Sequence, residues 1–339
     1  MLYELSQKYK RIAIVGMAKN AGKTTSLNYF LEEAMDEEMT VGVTSTGRDG
    51  ERTDLVTGTD KPSIYLEEGT LVSVPVQLYD LADAGLEILR KTEFGTSLGP
   101  ILLCRVASSG YVQVAGPVIN AQHEALCQEM IGAGAEVVLI DGAIDRKSIA
   151  APETSDAVIL STGAVISRQM QTVIEETAHT VRLYQLPRLE EGPVRDAFQG
   201  IQDDDRIHLV DDGQLSPLEI RTGLGAGRKL AGLIGDKDRK ISHIFLPGAF
   251  TPGSIEGIEP RSMREFTFVL KDPTRIFFEP PLWRKLQKWG LNVKVLENIN
   301  VAALTVNPTS PYGYRFDQQM LVERMQGAIP EVPVIDVLA

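Results

Sequence analysis

The sequence predicts an α/β protein, with a mostly parallel sheet flanked by helices and then a second, smaller α/β lobe. Three observations predict it. From Arg11 to about Leu186, short β-branched runs alternate with helical patterns, which is how a parallel sheet covered by helices is written. The runs EVVLIDGA and DAVILSTGA are continuously apolar rather than alternating, as in strands buried on both faces. Near Glu190 the texture changes to more proline and an acidic cluster at Asp203, Asp204 and Asp205. That change sets a boundary between a first domain over 1–189 and a second over 190–339.

Taken in order, RIAIVGM is the first strand. A helix opens at Lys23, with Leu27, Phe30, Leu31 and Ala34 at the i, i+3, i+4, i+7 spacing of one buried face. TVGVTSTG is the second strand and SIYLEEGTLVSV reads as two short ones. LYDLADAGLEILRK has the spacing of an amphipathic helix, and PILLCRVASSGYVQVAGP that of a hairpin turned at Ser108, Ser109 and Gly110. INAQHEALCQEMIGAGA is a helix leading into the two buried strands. In the second lobe HIFLPGAF, FTFVLKDPTRIFF, NVKVLENI, VAALTVNP and VPVIDVLA read as strands, with PPLWRKLQKWG and FDQQMLVERMQG as helices between them.

Composition excludes several classes. With 339 residues, 43% of them hydrophobic, the chain can bury two ordinary cores. A formal net charge of −12 leaves no cationic excess to release counterions, so nucleic acid and anionic membrane surfaces are not expected partners. The two cysteines, Cys104 and Cys127, make neither a disulfide framework nor a metal knuckle, which fits a reducing cytoplasm. The first residues carry charge where a signal peptide needs an apolar stretch, and no run approaches the roughly 20 apolar residues of a membrane span.

The chemistry concentrates after the first strand. Asn20, Ala21, Gly22, Lys23, Thr24 and Thr25 follow a buried strand and open a helix, where backbone N–H groups and the helix dipole make an anion site. In a phosphate-binding loop Lys23 reaches the β- and γ-phosphates and the Thr24 hydroxyl ligates Mg²⁺. The pattern G-x-x-x-x-G-K-[ST] wants glycine where Met17 stands, and Gly16 comes one residue early, so the loop is lengthened. Such a loop needs an acid for the metal at the end of a neighbouring apolar strand, and Asp141 stands there. Asp145 is a weaker candidate. Asp49, between Gly47 and Gly50 after the second strand, either binds Mg²⁺ through water, positions an attacking water, or only shapes a polar turn. Asn307 ends an apolar strand and can read a purine edge or start a turn. GLGAGRK lacks the third glycine of a dinucleotide fingerprint, and His123, His179, His208 and His243 have no ligand spacing.

On these residues the first lobe resembles the signal-recognition and MinD-type branch of P-loop NTPases. VGMAKNAGKTT is similar to the loops of molybdopterin-guanine dinucleotide biosynthesis adaptors. LIDGAIDRKSIAAPETSDAVILSTGA is laid out like the corresponding segment of dethiobiotin synthetases and cobyric acid amidotransferases. It departs from the biotin enzymes in having Ala143-Ile144-Asp145 after Gly142. The resemblance implies Mg²⁺ and ATP as cofactors, with Asp141 and Asp49 at the metal. It also implies a loop lysine, here Lys19, that can act across a dimer. Over its whole length the chain resembles the reactivase subunits of adenosylcobalamin-dependent lysine 5,6-aminomutase. That implies Mg²⁺-dependent ATP or GTP hydrolysis doing conformational work on a partner enzyme, within a homo- or hetero-oligomer. The alternatives are an ATP-dependent small-molecule ligase or kinase of the dethiobiotin synthetase type, and a nucleotide-binding adaptor with little turnover.

Overall fold

The computed structural model describes residues 1–46, 63–117, 119–142, 153–201, 203–221 and 223–337. It divides into two compact units, Met1–Thr177 with Asn300–Ala339, and Ala178–Ile299. Strands β1 (Arg11–Gly16), β2 (Val41–Ser45), β3 (Ile64–Leu66), β4 (Leu71–Pro75), β5 (Gly85–Thr96), β6 (Gly99–Ser108), β7 (Gly110–Val112), β8 (Val137–Asp141) and β9 (Ala157–Gly163) belong to the first unit. Helix α1 (Leu2–Ser6) precedes them, α2 (Lys23–Asp36), α3 (Val76–Tyr79) and α4 (Asn120–Gly132) lie between them, and α5 (Met170–Tyr184) crosses into the second. The second unit holds α6 (Pro193–Gly200), β10 (His208–Asp211), β11 (Gln214–Pro217), α7 (Gly227–Ile234), β12 (Ile241–Leu246), β13 (Thr267–Leu270), α8 (Pro280–Trp289) and β14 (Val293–Val295). The chain then returns to the first unit as β15 (Val301–Asn307), α9 (Gln318–Ala328) and β16 (Val334–Asp336).

The first unit is built on a mixed nine-stranded sheet in the order β16-β15-β9-β1-β8-β2-β4-β6-β5. Pairings from β16 across to β4 are parallel, and β4–β6 and β6–β5 are antiparallel. The apolar runs decide which strands are central. Val137, Val138, Leu139 and Ile140 of β8 are fully buried between β1 and β2, and Ile12, Ala13 and Ile14 of β1 are fully buried between β9 and β8. Leu27, Phe30, Leu31 and Ala34 of α2 are buried in one cluster with Ile12, Ile14 and Leu139, the face that the helical period picks out. Each large side chain buried there contributes about 1.5–3 kcal/mol, so this face fixes the helix that follows the turn. A two-stranded ribbon, β3 with β7, completes the unit.

The second unit has a five-stranded sheet in the order β11-β10-β12-β13-β14, with β12, β13 and β14 parallel. Phe250, Phe268, Trp283 and Leu286 centre its core.

Three sequence-based expectations are corrected here. The 1–189 and 190–339 division is redrawn, because VAALTVNP and VPVIDVLA, as β15 and β16, extend the first sheet beside β9. Their apolar runs fit either sheet, and only the non-local register of Leu304 on Leu160 decides. LYDLADAGLEILRK is helical only over α3, and from Gly85 the chain is the edge strand β5, with Ile88 opposite Cys104. An edge strand with irregular register, exposed on both faces from Glu87 to Lys91, has no strict alternation and imitates a helical apolar period. Finally, β7 turns away from β6 and pairs antiparallel with β3, Ile64 opposite Val112.

Cys104 and Cys127 are free and buried, and burial pushes both thiols up to about 12, which leaves them unreactive. Among the described residues no helix is long and apolar enough to cross a membrane.

His123, on α4, is buried with Nδ1 3.7 Å from Cys127 Sγ and no hydrogen bond to Nε2. Burial lowers its pKa to about 4, and the nearby Ser45 backbone only partly opposes the shift. Because the folded value lies below the unfolded one, stability is complete above the unfolded pKa and is lost as pH falls towards 4. From about pH 7 to about pH 5 this residue costs about 2 kcal/mol. Urea unfolding of parent and His123→Leu at both pH values should show that much less acid destabilisation in the variant.

Candidate phosphate site

The turn between β1 and α2 is held by its own backbone and by two neighbouring strands. Gly16 closes β1 opposite Ser161 with strand backbone, within the run RIAIVGM read as the first strand. Met17 N donates to Ser161 O at 2.9 Å and Ala21 N to Ala18 O at 3.2 Å. Asn20 (φ 64°) and Gly22 (φ 99°) both adopt left-handed backbone, and Gly22 is the N-cap that turns the chain into α2. Glycine is required at 22 on two grounds. Left-handed backbone penalises any Cβ, and one placed there would lie 3.0 Å from Asn307 Cβ.

Beneath the turn sits a cluster of buried hydroxyls that no motif marks. Ser26, in the first turn of α2, reaches Gly22 O (3.0 Å), Ser161 Oγ of β9 (3.0 Å) and Thr305 Oγ1 of β15 (2.7 Å). Thr305 donates in turn to Ser161 at 2.8 Å. The available signal was a hydroxyl inside an otherwise apolar strand, at Ser161 and Thr305, since buried polar groups need partners. This cluster pins the head of α2 to two strands.

Asn307 ends β15 beside the turn. Its Nδ2 donates to Asn20 O at 3.4 Å, its Oδ1 accepts from Thr309 N at 3.0 Å, and its carbonyl accepts from Ala164 N at 2.8 Å. Of the two alternatives for Asn307, the turn is present here, and the residue also braces the β1–α2 turn.

Lys23, at the head of α2, points across to β8. Its Nζ donates to Gly142 O and lies 2.9 Å from Asp141 Oδ1, outside hydrogen-bonding direction. Asp141 Oδ1 is therefore buried next to a cation but without a hydrogen bond. Adjacent to it, Ser45 Oγ and Thr46 N donate to the Asp141 carbonyl at 3.1 and 3.2 Å, and Thr46 Oγ1 is buried with no partner. At the carboxyl ends of these adjacent strands Thr46 Oγ1 has no partner and Asp141 Oδ1 has only the ion pair with Lys23, so both oxygens can take a further donor or a cation. Hard cations such as Mg²⁺ take such oxygens and leave their remaining positions to water and phosphate. Among the described residues no group of three or more His, Cys, Asp or Glu is placed to hold a metal.

The structure thus brings Asn20, Ala21, Gly22, Lys23, Thr24, Thr25 and Asp141 to one edge of the sheet, the carboxyl ends of β1 and β8. Thr24 and Lys19 are exposed, and Thr25 is half-buried. Asp49 and Asp145 lie outside the described residues. Comparison of the chain with protein-family models, with curated proteins and with solved structures finds no match in any of the three.

Proposed function

We propose that the chain is a Mg²⁺-dependent P-loop nucleoside triphosphatase, acting on ATP or GTP, whose turnover does conformational work on a partner enzyme in the cytoplasm. The observation that carries the proposal is the Lys23 ammonium at the head of a helix that follows a buried strand, 2.9 Å from an acid ending the adjacent strand. Positive charge, a helix amino terminus and a carboxylate oxygen without a hydrogen bond at one strand edge suit a phosphate with its metal.

In this mechanism the N–H groups of the turn and first helical residues take the β-phosphate, and Lys23 moves from Gly142 O and Asp141 to the β/γ oxygens. Thr24 Oγ1 and the Asp141 carboxylate would hold Mg²⁺. When bound, the metal neutralises charge developing on the phosphates. Asp49 is assigned the attacking water. Lys19 stabilises charge that appears only in the transition state. From the resemblance to reactivases, the partner we propose is an adenosylcobalamin-dependent aminomutase.

Calorimetric titration of ATP and GTP with and without Mg²⁺, followed by phosphate release, tests the proposal. Failure of both nucleotides to bind overturns it, and release that requires a small-molecule acceptor replaces it with the ligase alternative. Lys19→Ala is expected to lower turnover about tenfold or more with affinity nearly unchanged, the signature of an interaction made only in the transition state. Turnover within about twofold of the parent removes Lys19 from the mechanism.

A further inference from the structure

At the amino-terminal edge of the same sheet, opposite the phosphate site, lies a cavity of about 280 Å³ between the end of α2, the start of β2 and the β3–β4 turn. Its floor is apolar, formed by Leu31, Ala34 and Leu66. Its rim exposes Met35 and Tyr65, each at 47%, and Tyr65 packs edge-on against Tyr111 at 5.3 Å, which is itself 52% exposed. Exposed tyrosine and methionine in a continuous strip are what partner-binding surfaces are made of, and this strip extends past the cavity.

The charge around it has one sign. Glu38, Glu67 and Glu68 line the cavity, and none of its described lining residues is lysine or arginine. Glu67 is engaged by Ser109 Oγ, but Glu38 and Glu68 are exposed to solvent. Glu38 also sits at an unusual place. Met39 N bonds Ala34 O at 2.8 Å and Glu38 N bonds Met35 O at 3.0 Å, so α2 ends in a Schellman motif whose left-handed position is Glu38, φ 54°. Glycine fits that position best, so local folding preference does not account for a carboxylate there.

We infer that this cavity docks a basic segment of a partner protein, an apolar side chain seated on the floor and lysine or arginine on the carboxylate rim. The inference rests on the reading that nucleotide turnover is coupled to a partner. Helix α2 begins at Lys23 and ends at the cavity, so one rigid element joins the two sites.

The test is fluorescence anisotropy on the full chain without nucleotide, so its failure is separate from any failure of hydrolysis. The probe is a fluorescein-labelled leucine–lysine peptide of about twelve residues, with a leucine–glutamate peptide as control. Saturable binding tighter than about 100 μM is expected for the first and none for the second. Glu38→Gly/Glu68→Gln and, separately, Tyr65→Ala should each weaken binding about fivefold or more. The urea midpoint of Glu38→Gly should be no lower than the parent's, so weaker binding there is not a folding defect. Absence of saturable binding, equal binding of both peptides, or unchanged affinity in the variants overturns the inference.

Discussion

Lys23→Ala is expected to lower nucleotide affinity about thirtyfold or more and to reduce turnover to background, with the fold kept. A hydrogen bond from a charged donor is worth about 1.5–3 kcal/mol, and on the proposed reading one ammonium would serve several phosphate oxygens in a partly dry site. In the free protein the same group is held by Gly142 O and Asp141, so part of that gain goes to releasing it. The Lys23 and Asp141 side chains are 20% and 24% exposed, and water compensates much of what the pair loses when the lysine is removed. The head of α2 stays in place because Ser26, Ser161 and Thr305 hold it and Leu27 and Phe30 remain buried. Calorimetry with Mg²⁺–ATP beside thermal unfolding separates the two effects. An affinity within about threefold of the parent removes Lys23 from the phosphate site.

Much of this site was legible in the sequence because its logic is local. A buried strand, a turn with glycine and a helix opening on Gly-Lys-Thr-Thr can be read within Arg11–Phe30, and Asp141 is marked by four apolar residues before it. What escaped depends on contacts between distant segments. Thr305 and Asn307 brace the turn only because β15 returns to lie beside β9, almost 140 residues after that strand in sequence, at a register no local pattern encodes. The same return moved the domain boundary. Edge strand β5 was misread because it is exposed on both faces from Glu87 to Lys91, so its apolar residues do not alternate but fall at spacings that a helix would also use, and pairing with β6 overrides that pattern.

Asp141→Asn is expected to lower turnover about a hundredfold or more while leaving nucleotide bound, and the direction of the affinity change identifies the role of the acid. Two physical roles are open to a carboxylate 2.9 Å from Lys23. If it only positions the lysine, its loss weakens nucleotide to the same extent with Mg²⁺ and with chelator. If it holds the metal, the two conditions separate. Without Mg²⁺ the acid repels the triphosphate and competes for Lys23, so Asn should bind equally or tighter than Asp. With Mg²⁺ the parent gains affinity through the metal and the variant gains little, because a neutral amide is a poor ligand for a hard cation beside phosphates. Asparagine is nearly isosteric, and it replaces a buried oxygen without a hydrogen bond by a neutral one, so the fold should tolerate it. The decisive quantity is the ratio of dissociation constants with chelator and with Mg²⁺. A large ratio in the parent falling towards one in Asp141→Asn establishes the metal role, and a ratio unchanged by the substitution refutes it.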